Sequence, residues 1–254
     1  MMLNFKELIL FSPRGGVMKR SLVAVLMVSL LVIGSFAVAA DTAGTDHNWT
    51  GFYVGLNAGA AINDSSYTFR PQPPPGDTGS GDFNNACFTA GAQGGYNYQI
   101  NKQFVIGVEA DFNYKGEDQS SHINSPFTST ITQKVDFFGT LRPRLGFLPT
   151  SKLLVYATGG LAYGDVRSNT NILYTVPILD NYIGSKSSMQ VGWVAGGGIE
   201  YALSPNWSIK AEYLEVDLGS QSCTSSDGSN CGCTYITDVK TLEGIARFGV
   251  NYKF

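Results

Sequence analysis

From Trp49 to Phe254 apolar residues recur at every second position, in successive stretches separated by polar ones. In "FVIGVEADFNY" Phe104, Ile106, Val108, Ala110, Phe112 and Tyr114 share one face, and Gly107, Glu109, Asp111 and Asn113 share the other. The same alternation runs through "WTGFYVGLNAGAAI", "CFTAGAQGGYNYQI", "VDFFGTLRPRLGF", "LLVYATGGLAYG", "VGWVAGGGIEYAL", "WSIKAEYLEVDLG" and "LEGIARFGVNYKF". Successive side chains of a strand point to opposite faces, so these eight segments predict eight β-strands and an all-β fold.

The connections alternate in length. Short ones lie around Asn101 and Lys102, from Pro149 to Lys152, and from Ser204 to Asn206; long polar ones fall at 62–85, 115–131, 165–188 and 219–238. In an antiparallel up-and-down meander this gathers the short turns at one end and the long loops at the other. That is the pattern of a transmembrane β-barrel with short periplasmic turns and four long extracellular loops.

Charge decides which face is inside. A water-soluble eight-stranded barrel would point its apolar face inward. The opposite orientation sends Glu109, Asp111, Asp136, Glu200, Glu212 and Glu243 into the interior, to meet Lys134, Arg142, Arg144, Lys210 and Arg247. Near-equal opposite charges are what burial in a narrow lumen requires, and glycines such as Gly55, Gly91, Gly95, Gly107, Gly160, Gly196 and Gly198 leave room for them. The lipid-facing surface then carries aromatic girdles: Trp49, Phe52, Tyr96, Tyr98, Phe104, Trp207, Tyr252 and Phe254 toward the short turns, Tyr114, Tyr163 and Trp193 toward the long loops.

The chain has 254 residues, including 30 Gly, 3 Trp, 13 Tyr and 15 Phe. "MKRSLVAVLMVSLLVIGSFAVAAD" reads as a secretory signal peptide: Lys19 and Arg20, an apolar run from Leu22, then small residues at Ala37, Ala39 and Ala40. The expected organisation is a signal over 18–40, a linker over 41–48 and a barrel over 49–254, with 1–17 preceding the true start at Met18. The mature chain then keeps 13 basic and 19 acidic residues, a net charge of −6, which argues against a nucleic-acid partner.

"WTGFYVGLNAG", "GTLRPRLGF", "LLVYATGGLAYG", "KAEYLEVDLG" and the terminal "RFGVNYKF", in that order, resemble the OmpA-like β-barrel family of Gram-negative outer-membrane proteins, in particular its small immunogenic, porin-like branch. The resemblance implies an outer-membrane location among lipid and lipopolysaccharide, and recognition of Phe254 by the barrel assembly machinery. It also implies loops that meet host surface molecules or haem, and in some members a porin activity. One departure is Pro143, where the family commonly has Gly. Proline has no N–H for the ladder and a closed barrel has no edge, so a bulge or a missing bond is expected there.

Glu109, Asp111, Arg142 and Arg144 lie at similar heights on neighbouring strands, which predicts an interior ion-pair cluster; Glu200, Lys210, Glu212 and Arg247 predict a second one across strands six to eight. Such a cluster is either a charged constriction that selects ions or a plug standing in for an apolar core. The plug is the preferred reading, because eight strands enclose a space barely wide enough for side chains. Porin activity is the alternative.

Cys87, Cys223, Cys231 and Cys233 all lie at or beyond the long-loop end, and an exported chain meets an oxidising compartment. The expectation is Cys223 bonded to Cys231 or Cys233, and Cys87 to the other. "CGC" without a neighbouring His offers no metal site. His47 lies in the linker and His122 in a loop, with no Ser, His and Asp arrangement on the strands, so no enzyme and no catalytic residue is expected. No cofactor is expected either, apart from haem at His122 or the loop tyrosines Tyr67, Tyr174 and Tyr182. "PQPPPGD" at 71–77 is a stiff extended piece that serves as an epitope or a spacer.

Overall fold

The computed structural model describes residues 47–254, apart from 73–77, 83–84, 117, 125–126, 175–179 and 228–233. The expected signal peptide and early start lie outside the described residues, as does most of the proline-rich piece. The described elements are all strands: β1 (Gly51–Asn63), β2 (Ser66–Gln72), β3 (Gly79–Asp82), β4 (Asn85–Gln99), β5 (Phe104–Lys115), β6 (Asp118–Asn124), β7 (Phe127–Thr150), β8 (Leu153–Tyr174), β9 (Asp180–Ala202), β10 (Trp207–Asp227) and β11 (Thr234–Lys253).

Eight of these form a ring of antiparallel neighbours, β1-β4-β5-β7-β8-β9-β10-β11, and β11 pairs back onto β1 from Tyr53↔Lys253 to Asn63↔Glu243. These are the eight strands that the period of two predicts. The sheet has no free edge along this seam, so every backbone donor and acceptor in the ring can be met by a neighbour, as a hydrocarbon environment demands.

The faces sort as lipid exposure requires. Phe52, Leu56, Leu145 and Phe248 point outward at 66–71 % exposure, while Arg142 and Arg247 point inward at 0–1 %. Toward the short turns, aromatic rings meet in pairs on the outside: Phe52 with Tyr96, Phe104 with Phe147, and Tyr252 with both Trp207 and Phe254. Trp49 departs from the girdle assigned to it. It is 2 % exposed, and its indole N–H donates to the Ser151 carbonyl at 3.0 Å. There it packs with Val105, Leu148, Leu154, Tyr156 and Ala202 as an apolar floor under the barrel.

The four long connections are largely strand. β2 and β3 form a hairpin that adds to the edge of β11, β6 pairs with the start of β7, and β8 with β9 and β10 with β11 continue as ribbons beyond the barrel. Two irregularities reset which residues face inward. β7 shifts register between Val135 and Phe138, and β10 between Asp217 and Gly219. At the second, Gly219 adopts φ +80, a conformation that favours glycine, and its N–H donates to the Asp217 carboxylate at 2.8 Å.

Pro143 disturbs the sheet without a bulge. Register is unbroken past it on both sides, from Ala110↔Leu141 to Gly107↔Arg144 toward β5, and from Leu141↔Leu161 to Arg144↔Thr158 toward β8. Rungs at Arg142 and Pro143 are missing on the β8 side. The Thr158 hydroxyl donates to the Pro143 carbonyl at 2.8 Å and so occupies that acceptor.

Candidate functional site

The lumen is layered. Above the Trp49 floor lies a belt of charge, and above the belt a second apolar layer of Ala61, Val135, Phe138, Ala162, Val166, Val194, Leu214, Val216, Leu218 and Ile245. The charged belt therefore shares the interior with two apolar layers and does not replace them.

Arg142 is the hub. On β7 its guanidinium reaches Glu109 at 2.6 Å and Asp111 at 2.8 Å on the adjacent β5, and Glu212 at 3.3 Å on β10 across the lumen. Arg247 of β11 approaches from the far wall, donating to Glu212 at 2.6 Å, Asp111 at 2.7 Å and Asn113 at 3.3 Å. Lys210 donates to both oxygens of Glu109 at 2.8 and 2.9 Å and lies 3.1 Å from Glu212. Arg144 pairs with Glu200 at 2.8 Å and Glu109 at 3.5 Å, with its guanidinium 4.0 Å from the Tyr156 ring centre. The eight residues expected in two clusters thus form one network, because a lumen this narrow brings opposite walls within one side-chain length.

Neutral groups complete it. The Tyr53 hydroxyl donates to Glu109 at 2.7 Å, Tyr156 to Glu212 at 3.1 Å, Thr140 to Asp111 at 2.7 Å, and Ser208 and Asn251 to Glu200 at 2.6 and 2.8 Å. Interior glycines make the crowding possible. A Cβ on Gly107 would stand 3.1 Å from Arg144 Cγ, and one on Gly198 2.7 Å from Glu212 Cβ.

One position of the expected interior set changes, and one residue outside that set joins it. Asp136 sits in the β7 irregularity, which turns it outward to meet Arg167 at 3.2 Å, where Arg167 is 54 % exposed. The side chain of Lys134 lies outside the described residues. Lys115, read from sequence as loop, is instead a fully buried interior residue 2.6 Å from Glu243. Its signal was the odd-numbered register of Glu109, Asp111 and Asn113, carried one step further. Among the described residues the buried charges are then Glu109, Asp111, Glu200, Glu212 and Glu243 against Lys115, Arg142, Arg144, Lys210 and Arg247.

At the long-loop end Cys223 is buried on the inner face of β10, opposite Thr237, and burial pushes its thiol up from the ordinary value. Cys87 lies on β4 and contacts the Ala61 carbonyl at 3.7 Å. The two thiols sit far apart in height, Cys87 on the rung that leads through Ala61 to Ile245 and Cys223 on that of Thr237. Cys231 and Cys233, the expected partners, lie outside the described residues.

Tyr67 is buried, its ring lying over Gly81 in the β2–β3 hairpin, so it is closed to a ligand from solution. The side chains of His122, Tyr174 and Tyr182 lie outside the described residues. His47 packs edge-on to Trp49 at the short-turn end. Among the described residues no group of three or more His, Cys, Asp or Glu side chains is placed to hold a metal ion. Phe254 is 72 % exposed, and its N–H donates to the Phe52 carbonyl across the seam.

A closed ring of strands, apolar outside and ion-paired inside, has counterparts among known proteins. The family described as outer membrane protein beta-barrel domain matches residues 28–254. The chain belongs to that family. Among its outer-membrane relatives, the 31 kDa outer-membrane immunogenic protein of Brucella melitensis is 36 % identical over 213 residues, covering 82 % of this chain and 84 % of that one. A 22 kDa outer membrane protein of Rhizobium leguminosarum is 30 % identical over 72 % of this chain and 70 % of its own. The outer membrane protein OprG from Pseudomonas aeruginosa shares the fold at a TM-score of 0.54 and 14 % identity, covering 83 % of this chain and 99 % of that one. The protein is accordingly an outer-membrane β-barrel, with the short turns toward the periplasm and the ribbons outside.

Proposed function

We propose that the protein is a non-conducting structural barrel of the outer membrane, with its extracellular ribbons as a surface for interaction. The observation that carries this reading is how closed the lumen is: among the described residues, none of its ten buried charged side chains is more than 6 % exposed. Charged groups lining an aqueous pore are wetted by it, whereas these satisfy one another from wall to wall. The apolar layers above and below are a further obstacle to water and ions. Such an interior holds the eight strands in one arrangement and leaves recognition to the ribbons.

The relatives named as immunogenic fit a role at the cell surface. On this reading the partners are lipid and lipopolysaccharide around the barrel, host molecules or haem at the ribbons, and the assembly machinery at Phe254. No chemical reaction is assigned to the protein. Planar-bilayer recording of the refolded mature protein tests the plug: a silent membrane is expected, and stable conductance steps would replace this reading with that of a small-solute porin.

A further inference from the structure

The periplasmic rim is cationic in an acidic protein. Lys102 lies in the β4–β5 turn, Lys152 in the β7–β8 turn and Lys253 at the end of β11, and the three short turns contain neither Asp nor Glu. Two of them act on His47, whose imidazole is held at about 4 by burial first and then by Lys253, against the opposing pull of Glu200, with Lys152 adding a smaller effect.

Beside two of these turns the lipid-facing wall is indented. A trough of about 540 Å³ runs over β5, β7 and β8, flanked by Ile100, Phe104, Phe147 and Val155. Its lining includes the small Ala157, which pairs with Leu145 on one side and with Gly197 on the other. Phe104 and Phe147, their rings 5.7 Å apart, stand at the end nearest the rim. Lys102 follows Ile100 by two residues, and Lys152 precedes Val155 by three.

We propose that this trough is a phospholipid site: one acyl chain lies along it, and an anionic headgroup sits between Lys102 and Lys152. The volume falls within the range of small-molecule sites, and apart from Tyr156 every lining residue is apolar. Charge favours a lipid over a second copy of the chain, because a two-fold contact through this face would bring like-charged rims together. It also favours an anionic headgroup over a zwitterionic one, since nearby lysines attract anionic lipid and no carboxylate side chain stands in these turns.

The test is native mass spectrometry of the mature barrel released from nanodiscs of equimolar dimyristoyl phosphatidylglycerol and dimyristoyl phosphatidylcholine. One phosphatidylglycerol should be retained in preference to phosphatidylcholine by about thirtyfold, the scale set by two lysines at an anionic surface. Lys102→Glu combined with Lys152→Glu should abolish the preference, and Ala157→Trp should lower retention of both lipids. Heat-modifiable mobility on a gel checks that each variant has folded. Equal retention of the two lipids by the unaltered protein, or a preference that survives the charge reversal, overturns the proposal. So does a dimer that Ala157→Trp dissociates, which would make the trough a contact between copies.

Discussion

Arg142 shows how a residue expensive to bury becomes indispensable once buried. Its two terminal nitrogens serve Glu109, Asp111 and Glu212 with no exposure to water. Removing it leaves three carboxylates in a dry lumen without their hub, and breaking a buried pair from one side costs about 3–5 kcal/mol. Arg142→Ala should destabilise the refolded barrel on that scale in urea titration followed by the heat-modifiable gel shift. Arg167→Ala, which removes a partner of Asp136 and Asp165 at the solvent-exposed rim, should cost only about 0–1 kcal/mol. Equal losses for the two would contradict the dry lumen. His47 offers a second test. Its folded pKa of about 4 lies below the unfolded value, so the docked N-terminal segment binds fewer protons than the free one. Docking is therefore fully favourable above the unfolded pKa and weakens as pH falls toward 4. An NMR titration of His47 with its midpoint near the ordinary histidine value would show that the segment leaves its place against Trp49.

Within the strands, glycine sets how closely neighbours approach. Gly59 of β1 faces the lumen at the seam, opposite Arg247. A Cβ there would collide with the Ala246 carbonyl and come within 2.6 Å of Arg247 Cα. Gly59→Ala should therefore cost about 1–3 kcal/mol by overpacking and lower the fraction of heat-shifted, closed barrel. Ala58→Val, on the lipid face of the same strand, should leave that fraction unchanged.

Legibility from sequence follows the same physics. The barrel strands announce themselves because one face meets lipid and the other the lumen, which forces a period of two. The ribbons do not. "SNTNILY" and "SSHIN" have no apolar face to alternate, and so read as loop although β8 and β6 pair through them. The outward turn of Asp136 was hidden in a backbone irregularity that periodicity cannot register. Trp49 was misplaced because alternation gives the face of a strand and says nothing of a chain folding beneath the barrel before its first strand begins. The lumenal charges were readable as a set, yet their fusion into one network depends on the lumen's width.

At the scale of the whole molecule, the charge belt joins the middle of the chain to its end. Arg247, on the last strand, bonds to Asp111, 136 residues earlier. In a sheet that has not closed, β5 and β11 lie apart and these two groups cannot meet. Neighbouring strands can already pair Arg142 with Glu109 and Arg247 with Glu212, but the contacts that cross the lumen, Arg142 to Glu212, Lys210 to Glu109 and Arg247 to Asp111, need the closed ring. Completing the ring and completing the cross-lumen pairs are thus coupled through the C-terminal strand. An incomplete ring forgoes these cross-lumen pairs, so the charged interior favours the finished barrel over every open form of the sheet.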